Sequence, residues 1–337
     1  MSKIITEKIF RYDIPDGKKK ERVDTFLANS VENATRTRIQ KLIEAGLVTA
    51  NGKIIKSNYK VNPGDEIILT LPIAPRPEVA EPEDIPINVV FEDQYLLIIN
   101  KPPGLVVHPS IGHYTGTLVN ALLFHNQKLS DINDPATRPG IVHRIDKDTS
   151  GLLLIAKDNI THHRLAAQFS AHTIEREYQA VAWGIFKEKK GEVQSYIARS
   201  KRDRKLFTMT ENEGKFAHTF YEVIEEYDFA TLLSLKLKTG RTHQIRVHLS
   251  GTGHPIFGDD FYGGRVIRYG DQLPGIRARV DNLLEMMPRQ ALHAKTLGFI
   301  HPHTKEFMRF DSELPADIQL LIRRLKGEGK MMRIEHG

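Results

Sequence analysis

The chain has 337 residues, a formal net charge of +6 and no cysteine. Without cysteine there can be no disulfide, thiolate zinc site, iron–sulfur cluster or cysteine nucleophile, which fits a reducing compartment. No apolar run approaches the ~20 residues of a membrane helix, and the first ten residues lack a signal-peptide core. A soluble, cytoplasmic, monomeric protein of two or three domains is the expectation.

Positive charge is segregated. Residues 18 to 60 hold ten Lys/Arg against four acids, an excess equal to that of the whole chain. Smaller basic clusters follow at residues 199 to 205 and from Arg323 onward. Such clustering marks a polyanion ligand, because each phosphate contact releases condensed counterions.

The N-terminal module is expected over residues 18 to 71. A first helix runs from Arg22 to Asn29. Thr35 can cap a second, Arg36 to Ala45, with Ile39, Leu42 and Ile43 at i, i+3, i+4 on its inner face. Gly46 stops that helix, Asn51-Gly52 is a tight-hairpin signal, and Asn62-Pro63-Gly64-Asp65 turns into a strand over Glu66 to Leu71. Arg36, Arg38 and Lys41 decorate the outer helix face. The ordered pieces Arg22-Val23-Asp24, Thr35 to Ile43, Gly46-Leu47-Val48, Asn51-Gly52-Lys53 and Pro63 to Ile67 resemble an S4 RNA-binding domain. That resemblance implies RNA contacts by Arg22, Arg36, Arg38, Lys41 and Lys53.

Residues 72 to 86 carry five prolines and read as a semi-rigid linker. A large second domain is expected over 87 to 322, with a basic tail over 323 to 337. Strands are expected at Tyr95 to Asn100, Tyr178 to Trp183 and around Leu233, Leu235 and Leu237, which alternate with polar residues. A helix is expected over Thr161 to Phe169. Strands do not alternate regularly with helices, so an α+β fold around a mainly antiparallel, mixed sheet is favoured. The single Trp183 reads as core.

Between the apolar segments Ile141-Val142 and Leu152 to Ala156 lies a polar loop with Arg144, Asp146, Lys147 and Asp148. Further on, a helix is expected from Arg241 to Ser250, with Arg241, Ile245, His248 and Leu249 on one face. A cation in the first helical turn opposes the helix dipole and calls for a negative partner. Asp146 is the candidate, and a carboxylate held against an arginine favours its ionised form, as a nucleophile or general base requires.

Lys101 to Pro109, Gly140 to Leu152, Arg176-Glu177-Tyr178-Gln179-Ala180, Thr239 to His248 and Gly253 to Asp259 together resemble the ordered motifs of the RluA/RluD family of RNA pseudouridine synthases. The resemblance implies that a uracil is detached from C1′ at N1, turned, and rejoined through C5. It implies Asp146 as the essential aspartate, Arg241 as its partner, Tyr178 packed on the target base and Arg144 in the place of the extruded nucleotide. Base flipping, stacking on an aromatic ring and gap filling by a guanidinium are physically suited to these residue types. Ile145 stands where leucine is usual, a same-volume change.

No cofactor or metal is implied. The S4-plus-catalytic layout resembles members acting on large-subunit ribosomal RNA, with transfer RNA as the alternative substrate. Two other readings compete: a non-catalytic S4-type RNA-binding protein, and a magnesium-dependent aspartyl phosphatase using Asp146-Lys147-Asp148 and Gly258-Asp259-Asp260. The histidine groups His162-His163, His243 with His248, and His301-Pro302-His303 lack convincing ligand spacing and read as structural.

Overall fold

The computed structural model describes residues 6–31, 34, 36–73, 80–109, 114–126, 129–132, 138–200, 203, 206–267 and 274–327. Thr35, residues 201, 202, 204 and 205 of the basic loop, and the tail beyond 327 lie outside the described residues. Backbone contacts divide the chain into two units, Met1–Pro77 and Glu78–Gly337.

The first unit contains β1 (Thr6–Asp13), α1 (Val23–Ser30), α2 (Arg36–Glu44), β2 (Val48–Ala50), β3 (Lys53–Ile54) and β4 (Glu66–Ile73). Its sheet has the order β1-β4-β2-β3 with antiparallel neighbours. Val23, Leu27, Ile39, Ile43, Ile67 and Leu69 form the core. Leu42, expected inside, is only half-buried. Asn51 and Gly52 both have positive φ, 51° and 76°, as a type I′ hairpin between β2 and β3 demands.

β1 lies ahead of the expected start at residue 18. It pairs along the whole of β4, yet as an edge strand with an exposed Ile9 it carries little burial pattern. The expected linker is also shorter than its proline content suggested. β4 runs on to Ile73, Ala80 joins the core of the second unit, and Asn120 donates to the Glu81 carbonyl at 2.7 Å.

The second unit contains β5 (Val89–Glu92), β6 (Leu96–Lys101), α3 (Leu118–His125), β7 (Ser150–Ala156), α4 (Asn159–Ser170), β8 (Glu175–Trp183), β9 (Lys190–Arg199), β10 (Phe207–Thr210), β11 (Lys215–Glu226), β12 (Ala230–Leu237), α5 (Gln244–Gly251), α6 (Pro274–Met286), β13 (Leu292–Ile300), β14 (Phe307–Asp311) and α7 (Ala316–Leu325). One sheet runs β10-β9-β11-β12-β8-β13-β7-β6-β5, with β14 on the edge of β13. β13 and β7 are parallel and the other pairs antiparallel. The fold is α+β on a mixed, mainly antiparallel sheet.

β6 and β7 are buried on both faces, which explains their continuous apolar runs. Alternate residues enter two different cores. Leu97, Ile99, Leu153 and Ile155 face one, with Trp183, Leu233 and Leu235. Leu96, Ile98, Leu152 and Leu154 face the other, with Leu165 of α4. A one-residue slip would exchange the two sets. At the C-terminus the expected tail boundary at 323 falls inside α7, whose Leu325 is buried in the first of these cores.

Candidate active site

Ile141 and Val142 do not form a strand. Ile141 makes one bridge to Ile155, and the chain then loops until β7 begins at Ser150. Buried Ile141 and Ile145 pin this loop to the core, leaving Arg144 exposed and Asp146 half-buried. Gly151 seats the end of the loop against β13. Its φ is +117°, and a Cβ there would lie 2.2 Å from the Ala294 carbonyl oxygen.

The loop is held from beneath by Lys101, which is fully buried. Its Nζ donates to the carbonyls of Pro102, Leu105 and Lys147 at 2.8, 3.0 and 2.8 Å. Burial pushes its pKa down to about 7, Asp148 opposing that shift. Lys101→Met would remove the donor shared by three part-buried carbonyls, leaving that of Lys147 only its bond from the Gly104 N–H, so a loss of about 1–3 kcal/mol of stability is expected. Denaturant unfolding checks this. Lys147 and Asp148 are loop structure: their carbonyls accept from Lys101 and, at 2.9 Å, from Arg289.

His143 sits behind the loop. Its Nε2 accepts from the Leu154 N–H at 2.9 Å and its ring stacks on Phe169 at 4.6 Å. Burial, and secondarily Arg176, lowers its pKa to about 3, so it stays neutral.

Asp146, Arg144, Tyr178 and Arg241 all line one cleft of about 530 Å³, with Arg176, His243 and Arg246. Tyr178 reaches it from β8, buried opposite Leu235, and burial raises its hydroxyl pKa. Arg176, two residues earlier on the same face, lies with its guanidinium 5.6 Å from the Phe169 ring.

The expected pairing of Asp146 with Arg241 is not present. Arg241 Nε donates to the Phe216 carbonyl at 2.8 Å, whereas Arg246 Nη1 donates to Asp146 Oδ2 at 3.0 Å. The reason is where the helix begins. α5 starts at Gln244 after His243 adopts φ +56°, so Arg241 belongs to the turn before it. Gln244 fixes that turn, accepting from the Arg241 N–H and the Thr239 hydroxyl and donating to the His218 carbonyl and the Thr219 hydroxyl.

Arg246 is therefore the first-turn cation, and its charge is met by two carboxylates. Its Nε and Nη2 grip fully buried Asp259 at 2.7 and 2.9 Å, while Nη1 serves Asp146. Burial opposes the guanidinium charge, but the hydrogen bonds and charges of Asp259 and Asp146 outweigh it and raise its pKa. Asp259 also accepts from the Phe261 and Tyr262 N–H groups. A carboxylate so occupied has no place as a magnesium ligand, which removes the support for a phosphatase. His248 is buried under β9 and β11, bonded to the Ser195 and Thr219 hydroxyls.

In the first unit, Arg22 and Arg36 converge on buried Asp24. Arg22 donates twice, at 3.0 and 2.9 Å, Arg36 at 3.1 Å and Gln40 at 2.7 Å. Hydrogen bonding by Arg22, opposed by burial, holds the Asp24 carboxyl well below the usual range. These arginines tie α1 to α2 while half of each side chain stays accessible. Arg38 and Lys41 are on α2 and Lys53 on β3.

Residues 95–251 match a family model described as RNA pseudouridylate synthase, and residues 21–67 match the S4 domain. The chain is 46% identical over 312 residues to an uncharacterized RNA pseudouridine synthase of Chlorobaculum parvum, covering 90% of this chain and 94% of that one. It is 44% identical over 308 residues to a ribosomal large subunit pseudouridine synthase D of Zymomonas mobilis, covering 90% and 93%. Human RNA Pseudouridylate Synthase Domain Containing 4 shares the fold, with a TM-score of 0.54 and 24% identity over 71% of this chain and 93% of that structure. The chain belongs to the RNA pseudouridine synthase family and is an isomerase carrying an S4 domain. Among the described residues no helix is long and apolar enough to cross a membrane.

Proposed function

We propose that this protein converts uridine to pseudouridine in large-subunit ribosomal RNA, with Asp146 acting on the target nucleotide. The observation that carries the reading is the Asp146 carboxylate. Oδ2 is fixed by Arg246, and the Asp146 side chain lines the same cleft as buried Tyr178. A fixed, charged oxygen beside an aromatic edge suits a flipped base whose sugar carbon must be approached in one orientation. Exposed Arg144, two residues away on the same loop, can stack in the gap that the base leaves. Arg241, with its Nε engaged by a backbone carbonyl, sits at the cleft wall where it can meet RNA phosphate. The ribosomal choice is supported by the relatives named ribosomal large subunit pseudouridine synthase D. A monomer acting in the cytoplasm suits these features.

The test of the reaction is tritium release from RNA labelled at uracil C5, since exchange of the N1 link for a C5 link expels that hydrogen. No release from ribosomal RNA would overturn the reading. Carbodiimide-stop primer extension on RNA from cells with and without the protein separates ribosomal from transfer RNA.

The S4 module supplies charge to the complex under this reading. Lys41→Gln with Lys53→Gln is expected to make the slope of log affinity against log salt shallower by up to ~1.8, from the ~0.7–0.9 of each lost phosphate contact. Binding titrations at several salt concentrations measure it. An unchanged slope would take both lysines out of the interface.

A further inference from the structure

His243, which reads as structural in the sequence, lies with its Nε2 toward Asp146 Oδ1, an oxygen with no hydrogen-bond donor among the described residues. Its φ of +56° is uncommon for a histidine. It occupies the N-cap of α5 without a side-chain capping bond. The ring is held elsewhere: Nδ1 lies 2.8 Å from the Tyr262 hydroxyl, which accepts from the Phe207 N–H at 3.0 Å. Tyr262 is buried, and among the described residues its hydroxyl has these two partners.

A phenol carries one proton. With its oxygen already accepting from the amide, Tyr262 gives that proton to Nδ1. The neutral ring then bears its own hydrogen on Nε2, and Nε2 stands 3.8 Å from Asp146 Oδ1. Burial lowers the imidazole pKa, Arg246 and Arg144 adding to the effect and Asp146 and Asp259 opposing it, which keeps the ring neutral. The structure thus presents a fixed N–H donor beside the oxygen that acts on the substrate.

Heterolysis of the N1–C1′ bond leaves its electron pair on the base, giving a uracil anion with charge shared among N1, O2 and O4. We propose that His243 is a catalytic residue whose Nε2–H hydrogen-bonds an oxygen of this detached base, an inference that rests on the assignment of Asp146 above. His243 transfers no proton. The N1–C1′ bond breaks, the anion is held while it turns, its C5 bonds to the electron-deficient C1′, and the C5 proton departs to water while N1 takes a proton from water. A preorganised donor of this kind is worth more in a water-poor cleft than in bulk solvent.

Single-turnover tritium release by the full-length protein tests this. His243→Ala is expected to slow the chemical step by about 10²-fold with RNA affinity unchanged, and His243→Gln, which restores an N–H near Nε2, to recover at least a tenth of the wild-type rate. RNA carrying 5-fluorouridine gives the sharper readout, followed as conversion of the fluorinated nucleotide in nuclease digests by chromatography and mass spectrometry. Fluorine stabilises the base anion, so the His243→Ala defect is expected to shrink to within ~5-fold on that substrate. Nitrogen-15 spectra of labelled imidazole are expected to show the Nε2–H tautomer in the wild type and a mixture in Tyr262→Phe, which keeps the ring of Tyr262. A wild-type rate in His243→Ala, or an equal defect on both substrates, overturns the proposal while leaving Asp146 in place. Activity surviving in Asp146→Asn would instead overturn the assignment beneath it.

Discussion

Asp146→Asn is expected to abolish tritium release, by at least ~10³-fold in single turnover, while RNA affinity stays within a factor of two or three. The two side chains have nearly the same shape. The asparagine oxygen can still accept from Arg246 Nη1, so the loop, the cleft and the Asp259 pair keep their geometry. What disappears is the carboxylate charge at the cleft. An amide is a poor nucleophile and a poor base, and every route by which Asp146 could act needs one or the other. Under the proposed function most of the RNA contact falls to cations such as Arg144 and to the S4 module, so binding has no reason to fall in parallel. A loss of affinity equal to the loss of rate would make Asp146 a binding group. A residual rate within tenfold of wild type would remove it from the chemistry.

The residues whose placement in the cleft is legible in the sequence are those positioned by a local segment. Arg144 and Asp146 share one loop, and the apolar runs that bracket it showed that the charges sit at the rim of a core. Tyr178 falls on a strand whose apolar side chains mark its burial. The two-core burial of β7 was implicit in its uninterrupted Leu152 to Ala156 run. Arg246 was illegible for a specific reason. A cation in the first turn of this helix does meet carboxylates, as the helix dipole requires, but the cation is Arg246 and not Arg241. One left-handed residue, His243, sets the helix start at Gln244, which puts Arg246 and not Arg241 in the first turn. Histidine at positive φ leaves no mark in an apolar pattern.

Distance along the chain hid the rest. Lys101 supports Lys147 from 46 residues away, and Asp259 meets Arg246 across a helix and a turn. Neither partner shows any sequence feature that names the other. β1 was missed because an edge strand with exposed Ile9 need not alternate cleanly. The proline count likewise overstated the linker, since proline restricts φ without preventing Ala80 from packing into a core.

Arg246→Met and Arg241→Met are expected to differ in kind. Arg246 is the common partner of two carboxylates, one fully buried. Removing it leaves Asp259 buried with two backbone N–H donors but no counter-charge, a defect that costs about 3–5 kcal/mol. It also frees Asp146 to rotate, so tritium release is expected to fall by at least ~10²-fold even in the fraction that remains folded. Arg241 has no carboxylate partner among the described residues, and its Nε serves one backbone carbonyl at a half-exposed position. Arg241→Met is expected to change stability by less than ~1 kcal/mol and to weaken RNA binding with a shallower salt dependence. Urea unfolding at neutral pH, paired with single-turnover rates at saturating RNA, separates the two. If Arg241→Met alone destroyed the rate at saturation, the pairing first expected from the sequence would describe the reacting complex, and α5 would have to shift on binding RNA. If Arg246→Met alone did so, the carboxylate that reacts is set by a helix whose first turn is neutralised from both sides.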